Sequence, residues 1–215
     1  MAETNYDKAL RAALDAAFED LRRANLEEIA YKSGAALKGG DRLVTLFLGS
    51  TVEISPGAKG IMIDSVPADK RRAILVLHYL LKAEGVPLTG QMVGFKDVPQ
   101  GSLYFTPFRN RVLYSMLPVL ERSPEMLRKA VSSLGGEFVD AGDLSFRFRV
   151  LPYVTAQYIY HRGEEGIPAD LNILFDRSIE HYLSTEDIVV MCEEINRTLK
   201  ARLAAQEEPA GREKE

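Results

Sequence analysis

The run Ala73–Leu81 constrains this chain more than any other segment. Apart from His78 and Tyr79 it is aliphatic, and it lies between Pro67 on one side and Gly85-Val86-Pro87 on the other. The pattern predicts a helix with Pro67 in its first turn, running to about Glu84. A helix that is apolar on nearly every side is buried at the centre of a fold. The other elements are therefore expected to wrap around a buried central helix. The run is about half of what a membrane span needs, so no membrane crossing is expected.

The flanking patterns supply the wrapping. Leu10, Leu14, Ala17, Phe18 and Leu21 recur at helical steps, predicting an amphipathic helix over 5–31 that ends at Gly34. Residues 43–54 are rich in β-formers, with Gly49-Ser50 as the turn of a hairpin, and 60–63 form a further short strand. Residues 87–101 read as irregular. Thr106-Pro107 is the signature of an N-cap followed by proline at the first helical position, and Pro118 should kink or end that helix near Leu117. Ser123-Pro124-Glu125 repeats the capping pattern, and Gly135-Gly136 closes a short helix. Residues 137–160 then give two or three strands, among which Phe146-Arg147-Phe148-Arg149-Val150 alternates as a half-solvated antiparallel strand does. Another strand covers 171–175. Ser184 and Asp187 form a capping box for a last helix to about Ala205. Clustered strands with helices between the clusters define an α+β fold. The expectation is a single domain over 1–205, a mostly antiparallel sheet, four to five helices, and a charged disordered tail over 206–215.

Composition narrows the function classes. With 46% hydrophobic and 27% charged residues in 215, one ordinary core is expected. The net charge is -4, and the densest basic cluster is only Lys70-Arg71-Arg72, which argues against nucleic-acid binding. The single cysteine, Cys192, can form neither an internal disulfide nor a multi-thiolate metal site. That suits a reducing compartment, and the acidic N-terminus lacks the apolar stretch of a secretory signal, so a cytoplasmic location is expected. Phosphate-loop, dinucleotide, HExxH and GxSxG motifs are all missing. Whether the chain is an enzyme stays open at this point.

Three constellations could carry chemistry. His78 in the apolar run is either a satisfied structural histidine or a ligand contact. Tyr104, Phe105, Phe108, Arg109 and Arg111 combine aromatic surface with two guanidinium groups near a helix start, a combination that suits an anion with an apolar body. The alternative is that the rings fill the core and the arginines face solvent. Around His181 stand Asp176, Glu180, Glu186 and Asp187, an acid–base pairing or merely a helix cap. No histidines lie at i, i+4, so no local metal pair exists and no metal is expected.

An ordered set of segments adds a resemblance. Leu77-His78-Tyr79-Leu80-Leu81 through Gly90, Phe95-Lys96-Asp97-Val98-Pro99-Gln100-Gly101-Ser102-Leu103-Tyr104, Asp143–Phe148, Leu174-Phe175-Asp176-Arg177-Ser178 and His181–Asp187 resemble an uncharacterised prokaryotic family of anaerobic bacteria and archaea, a domain of unknown function. Some members carry a cysteine-rich iron–sulfur module, and some occur in corrinoid settings. The resemblance implies a corrinoid (cobalamin) or other tetrapyrrole ligand, and a corrinoid or redox protein as partner. One cysteine excludes the iron–sulfur module from this chain. None of His78, His161 and His181 follows the Asp of an axial Asp-x-His-x-x-Gly motif.

The resulting expectation is a non-catalytic ligand-binding or accessory module, with a pocket beside the His78 helix and segment 95–111. The rivals are a small enzyme using a histidine–carboxylate pair, and a protein–protein adaptor.

Overall fold

The computed structural model describes residues 4–121 and 124–207. Helix α1 (Asn5–Arg23) starts at Thr4, whose hydroxyl accepts from the Asp7 N–H. The single helix expected over 5–31 is two helices. Asn25 takes the N–H groups of Glu27 and Glu28 on its side chain and so starts a new helix, α2 (Leu26–Ser33). Gly34 ends α2 at φ 70°, in the left-handed region that suits glycine.

The first sheet is a meander of β1 (Ala36–Lys38), β2 (Arg42–Phe47), β3 (Ser50–Ser55), β4 (Gly60–Ile63) and β5 (Val66–Pro67), each antiparallel to the next. The β2–β3 turn sits on Leu48 and Gly49, one residue earlier than expected. Pro67 ends β5 and does not open a helix. Asp69 caps α3 (Lys70–Lys82) by accepting from the Arg71 and Arg72 N–H groups at 3.1 Å each. Along α3, Ala73, Ile74, Leu75, Val76, Leu77, Tyr79 and Leu80 are buried. The Tyr79 hydroxyl donates to the Ser33 carbonyl (2.6 Å) and accepts from the Tyr153 N–H (3.3 Å), tying α3 to the end of α2 and to the second sheet.

That second sheet comprises β6 (Met92–Gly94), β7 (Glu137–Phe138), β8 (Leu144–Leu151), β9 (Val154–His161) and β10 (Asp170–Asp176), in the spatial order β6-β10-β9-β8-β7, again antiparallel throughout. Phe146, Phe148 and Val150 point into the core as their alternation predicts. The Leu48 N–H donates to the Val150 carbonyl (2.9 Å), which joins the two sheets.

A long bulged helix separates β6 from β7. After a 3-10 turn (Phe95–Asp97), α4 (Gly101–Phe108) runs through a π turn (Arg109–Leu113) directly into α5 (Tyr114–Leu120). With α6 (Pro124–Ser133) and α7 (Thr185–Glu207), the described residues form six separate helices, more than the four to five expected. Two expectations fail in this stretch. Thr106 is not an N-cap, because Pro107 lies inside α4; and Pro118 does not end its helix. Each proline deprives the carbonyl four residues back of its donor. Those carbonyls belong to Leu103 and Tyr114, both exposed residues, where solvent can take the place of the lost donor at little cost.

Helix α7 opens with the expected capping box: the Asp187 N–H donates to Ser184 Oγ (3.1 Å) and the Ser184 N–H to Asp187 Oδ2 (3.3 Å). It continues to Glu207, two residues into the expected tail; the rest of that tail and Ser123 lie outside the described residues. No helix of the described residues is long and apolar enough to cross a membrane.

Candidate functional site

Where β6 stops, the chain turns away from the sheet and leaves a cleft of about 520 Å³ against β10. The bulged helix forms one wall through Phe105, Arg109, Leu113, Tyr114 and Leu117. Lys96 from the 3-10 turn and Asp170, Leu171 and Asn172 of β10 form the others. Gly101 sets the helix at this distance. A Cβ there would stand 1.8 Å from the Phe95 carbonyl oxygen, so only glycine lets α4 begin so close to the 3-10 turn. Phe95 stacks in parallel on the buried Phe108, ring centroids 3.9 Å apart, and this pair fixes the turn on the helix.

The π turn shapes the site. The Tyr114 N–H donates to the Arg109 carbonyl, five residues back. The extra residue in that turn brings the Tyr114 ring under the Arg109 guanidinium, 5.4 Å from ring centroid to carbon. π turns recur at functional sites because they re-aim side chains in this way. Lys96 Nζ stands 4.1 Å from the Phe105 ring centroid, one helical turn from Arg109. Neither cation has a carboxylate within 4.0 Å among the described residues, and the buried Arg109 Nε makes no hydrogen bond. A buried donor without an acceptor costs roughly 1–3 kcal/mol. The cleft also carries Asp170 and Asp97; the latter carboxylate is engaged by the Gly94 N–H (2.9 Å). The site is therefore amphoteric, with Arg109 on the helix and Lys96 on the 3-10 turn as its cations and Asp97 and Asp170 as its acids.

Of the six residues singled out from the sequence, Phe105 and Arg109 line this cleft and Phe108 buttresses it. Tyr104, on the next face of α4, lines a separate depression of about 340 Å³ with Lys82, Gln100 and Glu186. Arg111 points to α7: its guanidinium holds Glu193 at 2.7 and 3.1 Å and Glu186 at 3.2 Å. Glu193 also pairs with Arg71, and the neighbouring Glu194, 1% exposed, is held by Arg72 (3.0 Å) and Arg197 (2.5 Å). Arg111 thus belongs to an ion-pair network that locks α3 and the bulged helix to α7.

His78 does not line the cleft either. Its Nδ1 lies 2.7 Å from Asp187 Oδ1, and the other carboxylate oxygen accepts from Ser184 Oγ at 2.5 Å. The hydrogen bond to Asp187 raises the His78 pKa above its ordinary value against the opposing effect of partial burial. Burial acts to raise Asp187, but the bonds from His78 and Ser184 hold it below the usual carboxylate range. His78 Nε2 makes no hydrogen bond among the described residues.

Of the four acids expected around His181, only Glu180 lies within reach, 3.9 Å from Nε2. His181 Nδ1 pairs with Glu84 (2.6 Å), not Asp176. Asp176, 3% exposed, accepts from the N–H groups of Thr89, Gly90 and Ser178 and from the hydroxyls of Thr89 and Ser178. Burial acts to raise this carboxyl, yet the five donors hold it at about 2. Cys192 is buried, and burial pushes its thiol well up, so it is no nucleophile. No group of three or more His, Cys, Asp or Glu side chains among the described residues could hold a metal.

The sequence reading missed Lys96, Tyr114, Asp170 and Asn172. Lys96 falls in the stretch read as irregular, and Tyr114 reaches the site only through the π turn.

The architecture defines an α+β domain of two antiparallel sheets with a cleft beside the second. The chain belongs to the DUF3786 family, a domain of unknown function, whose profile matches residues 25–198. No curated protein and no solved structure matches it.

Proposed function

We propose that this chain is a non-catalytic binding or accessory module whose partly apolar, anionic ligand occupies the cleft between the bulged helix and β10. The observation that carries this reading is the pair of uncompensated cations, Lys96 and Arg109, each resting on an aromatic ring above an apolar wall. Ligand sites combine apolar walls with a few placed polar groups in this manner. On this reading α3 is the central helix around which both sheets are arranged. A corrinoid or other tetrapyrrole of anaerobic metabolism is the small-molecule class suggested by the resemblance, and amide groups at its rim would suit Asp170 and Asn172.

A thermal-shift panel of aquocobalamin, haem, flavin mononucleotide, adenosine monophosphate and divalent metals tests it. A ligand at one hundred times its Kd stabilises by about 2.7 kcal/mol, on the order of 5–10 °C for a chain of this size. A shift that vanishes in Arg109→Gln and Lys96→Gln supports the reading. A shift indifferent to both substitutions, or none with any anionic compound, overturns it.

One observation favours a second reading. The His78–Asp187 pair leaves Nε2 open on a side chain 39% exposed, the arrangement of a general base. Turnover of p-nitrophenyl esters or phosphates that is lost in His78→Gln would establish it; no turnover, or turnover that survives this change, would remove it.

A further inference from the structure

The strand side of the cleft carries its own polar pair. Leu171, Ile173 and Phe175 of β10 are buried in the core. Side chains alternate along a strand, so Asp170 and Asn172 stand together on the opposite, exposed face. Both line the cleft. Two positions apart, their side chains stand about 7 Å from each other. Neither the Asp170 carboxylate nor the Asn172 amide has a hydrogen-bond or ion-pair partner among the described residues. Asp97 differs, because its Oδ2 already takes the Gly94 N–H. The cations come from other elements: Lys96 from the 3-10 turn, and Arg109, with its buried and unpartnered Nε, from the helix. Phe105, Leu113 and Leu117 give the cleft its apolar surface.

Each group selects one part of a ligand. A carboxylate is an acceptor with two oxygens, and it binds best to two parallel N–H donors. An amide beside it donates to an oxygen on the same ligand edge. Two unpaired cations hold an anionic group. Aromatic and aliphatic walls take a flat apolar body. A flat ring with two adjacent N–H donors next to a carbonyl, joined to an anion, meets all four demands. Among the nucleobases guanine has that edge: a ring N–H and an exocyclic amine beside a carbonyl. Adenine and the pyrimidines place an acceptor where the second donor is needed. The space, about 520 Å³, lies within the range of small-molecule sites.

We infer that the cleft binds a guanine mononucleotide. Asp170 accepts from the ring N–H and the 2-amino group, Asn172 donates to the ring carbonyl, and Lys96 and Arg109 hold the phosphate. The inference rests on the cleft proposed above as the binding site and names the chemistry of its ligand. It also gives the acids of the cleft a task that an anion alone does not: Asp170 reads the base while the cations read the phosphate.

Isothermal titration calorimetry on the full chain tests it with guanosine, inosine, adenosine and xanthosine monophosphates. Guanosine monophosphate should bind saturably. The inosine nucleotide, which lacks the 2-amino group, should bind about tenfold more weakly, the effect of losing one charged hydrogen bond. The adenosine nucleotide should bind more weakly still. Arg109→Gln and Lys96→Gln should each weaken guanosine monophosphate about tenfold. Asp170→Asn should lose guanosine monophosphate and gain xanthosine monophosphate, because the new amide donates to the carbonyl that xanthine carries in place of the amine. A misfolded variant would gain nothing, so this switch separates recognition from damage. Three outcomes overturn the inference: no saturation up to millimolar guanosine monophosphate, equal affinity for the guanosine and adenosine nucleotides, or binding unchanged in Asp170→Asn. If anions still bind through Lys96 and Arg109 without preference for a base, the cleft stands and guanine fails. If Arg109→Gln and Lys96→Gln change no binding at all, the cleft itself is the wrong site.

Discussion

At Asp176 five hydrogen-bond donors converge on one buried carboxylate, linking the 89–90 turn to the end of β10. A carboxyl held at about 2 contributes stability above its unfolded pKa, and that contribution is lost as pH falls toward 2. Its size is about 2 kcal/mol. Asp176→Asn should remove this part of the acid limb of the urea-unfolding profile and cost roughly 2–4 kcal/mol at neutral pH, since an amide cannot accept from every donor. His78 behaves with the opposite sign. Its folded pKa is raised, so its pairing with Asp187 stabilises below the unfolded value of 6.5 and is lost as pH rises through the folded value. In Asp187→Asn the His78 titration followed by NMR should move down, and the stability gap from wild type should narrow at alkaline pH. A His78 titration unchanged in that variant would show that the pair is not formed in solution. Both residues stood out in the sequence but their pairing did not: Asp187 was legible as a cap for α7, and 109 positions separate it from His78.

The helix from Gly101 to Leu120 shows where local rules stop. Read alone, Thr106-Pro107 is a helix start and Pro118 a helix end. Both prolines sit on the exposed side, where their missing N–H groups cost little, and the start is set instead by the contact of Gly101 with the Phe95 carbonyl. Gly101→Ala should therefore be far more damaging than an ordinary glycine change at a helix start. A loss of at least about 3 kcal/mol is expected from urea denaturation, because backbone must move to relieve the overlap. A cost under 1 kcal/mol, on the ordinary scale of helix propensity, would show that the helix tolerates a shifted start. The same element explains why only part of the aromatic–basic segment forms a site. Phe105 and Arg109 are one turn apart and share the cleft, whereas Arg111 turns to α7 and Tyr104 to another depression.

Across the whole molecule, α7 is held by charge as well as by its apolar face. Glu194 is almost fully buried between Arg72 of α3 and Arg197 of α7, and Arg197 reaches Asp69 at the start of α3 (2.8 Å). Breaking one partner of a buried ion pair strands the others. Glu194→Gln should cost on the order of 2–4 kcal/mol in chemical denaturation, a loss little changed by added salt because the pair is buried. A neutral outcome would assign the locking of α3 to α7 entirely to apolar packing.

The sequence by itself determined which residues are apolar and at what period. From that followed the strands read at 43–54, 137–160 and 171–175, the apolar helix over 73–81, the Ser184–Asp187 capping box and the aromatic–basic composition of the 95–111 segment. These are local properties, set by side chains within a few positions of one another. The tertiary structure alone decided that the strands form two sheets, that β6 stops at Gly94 and pairs with only the end of β10, and that a π turn brings Tyr114 to Arg109. It also chose the charge partners, joining Arg111 to Glu193 and His78 to Asp187. Such pairings join groups 82 and 109 positions apart. They depend on how whole elements pack, and no periodicity along the chain encodes them.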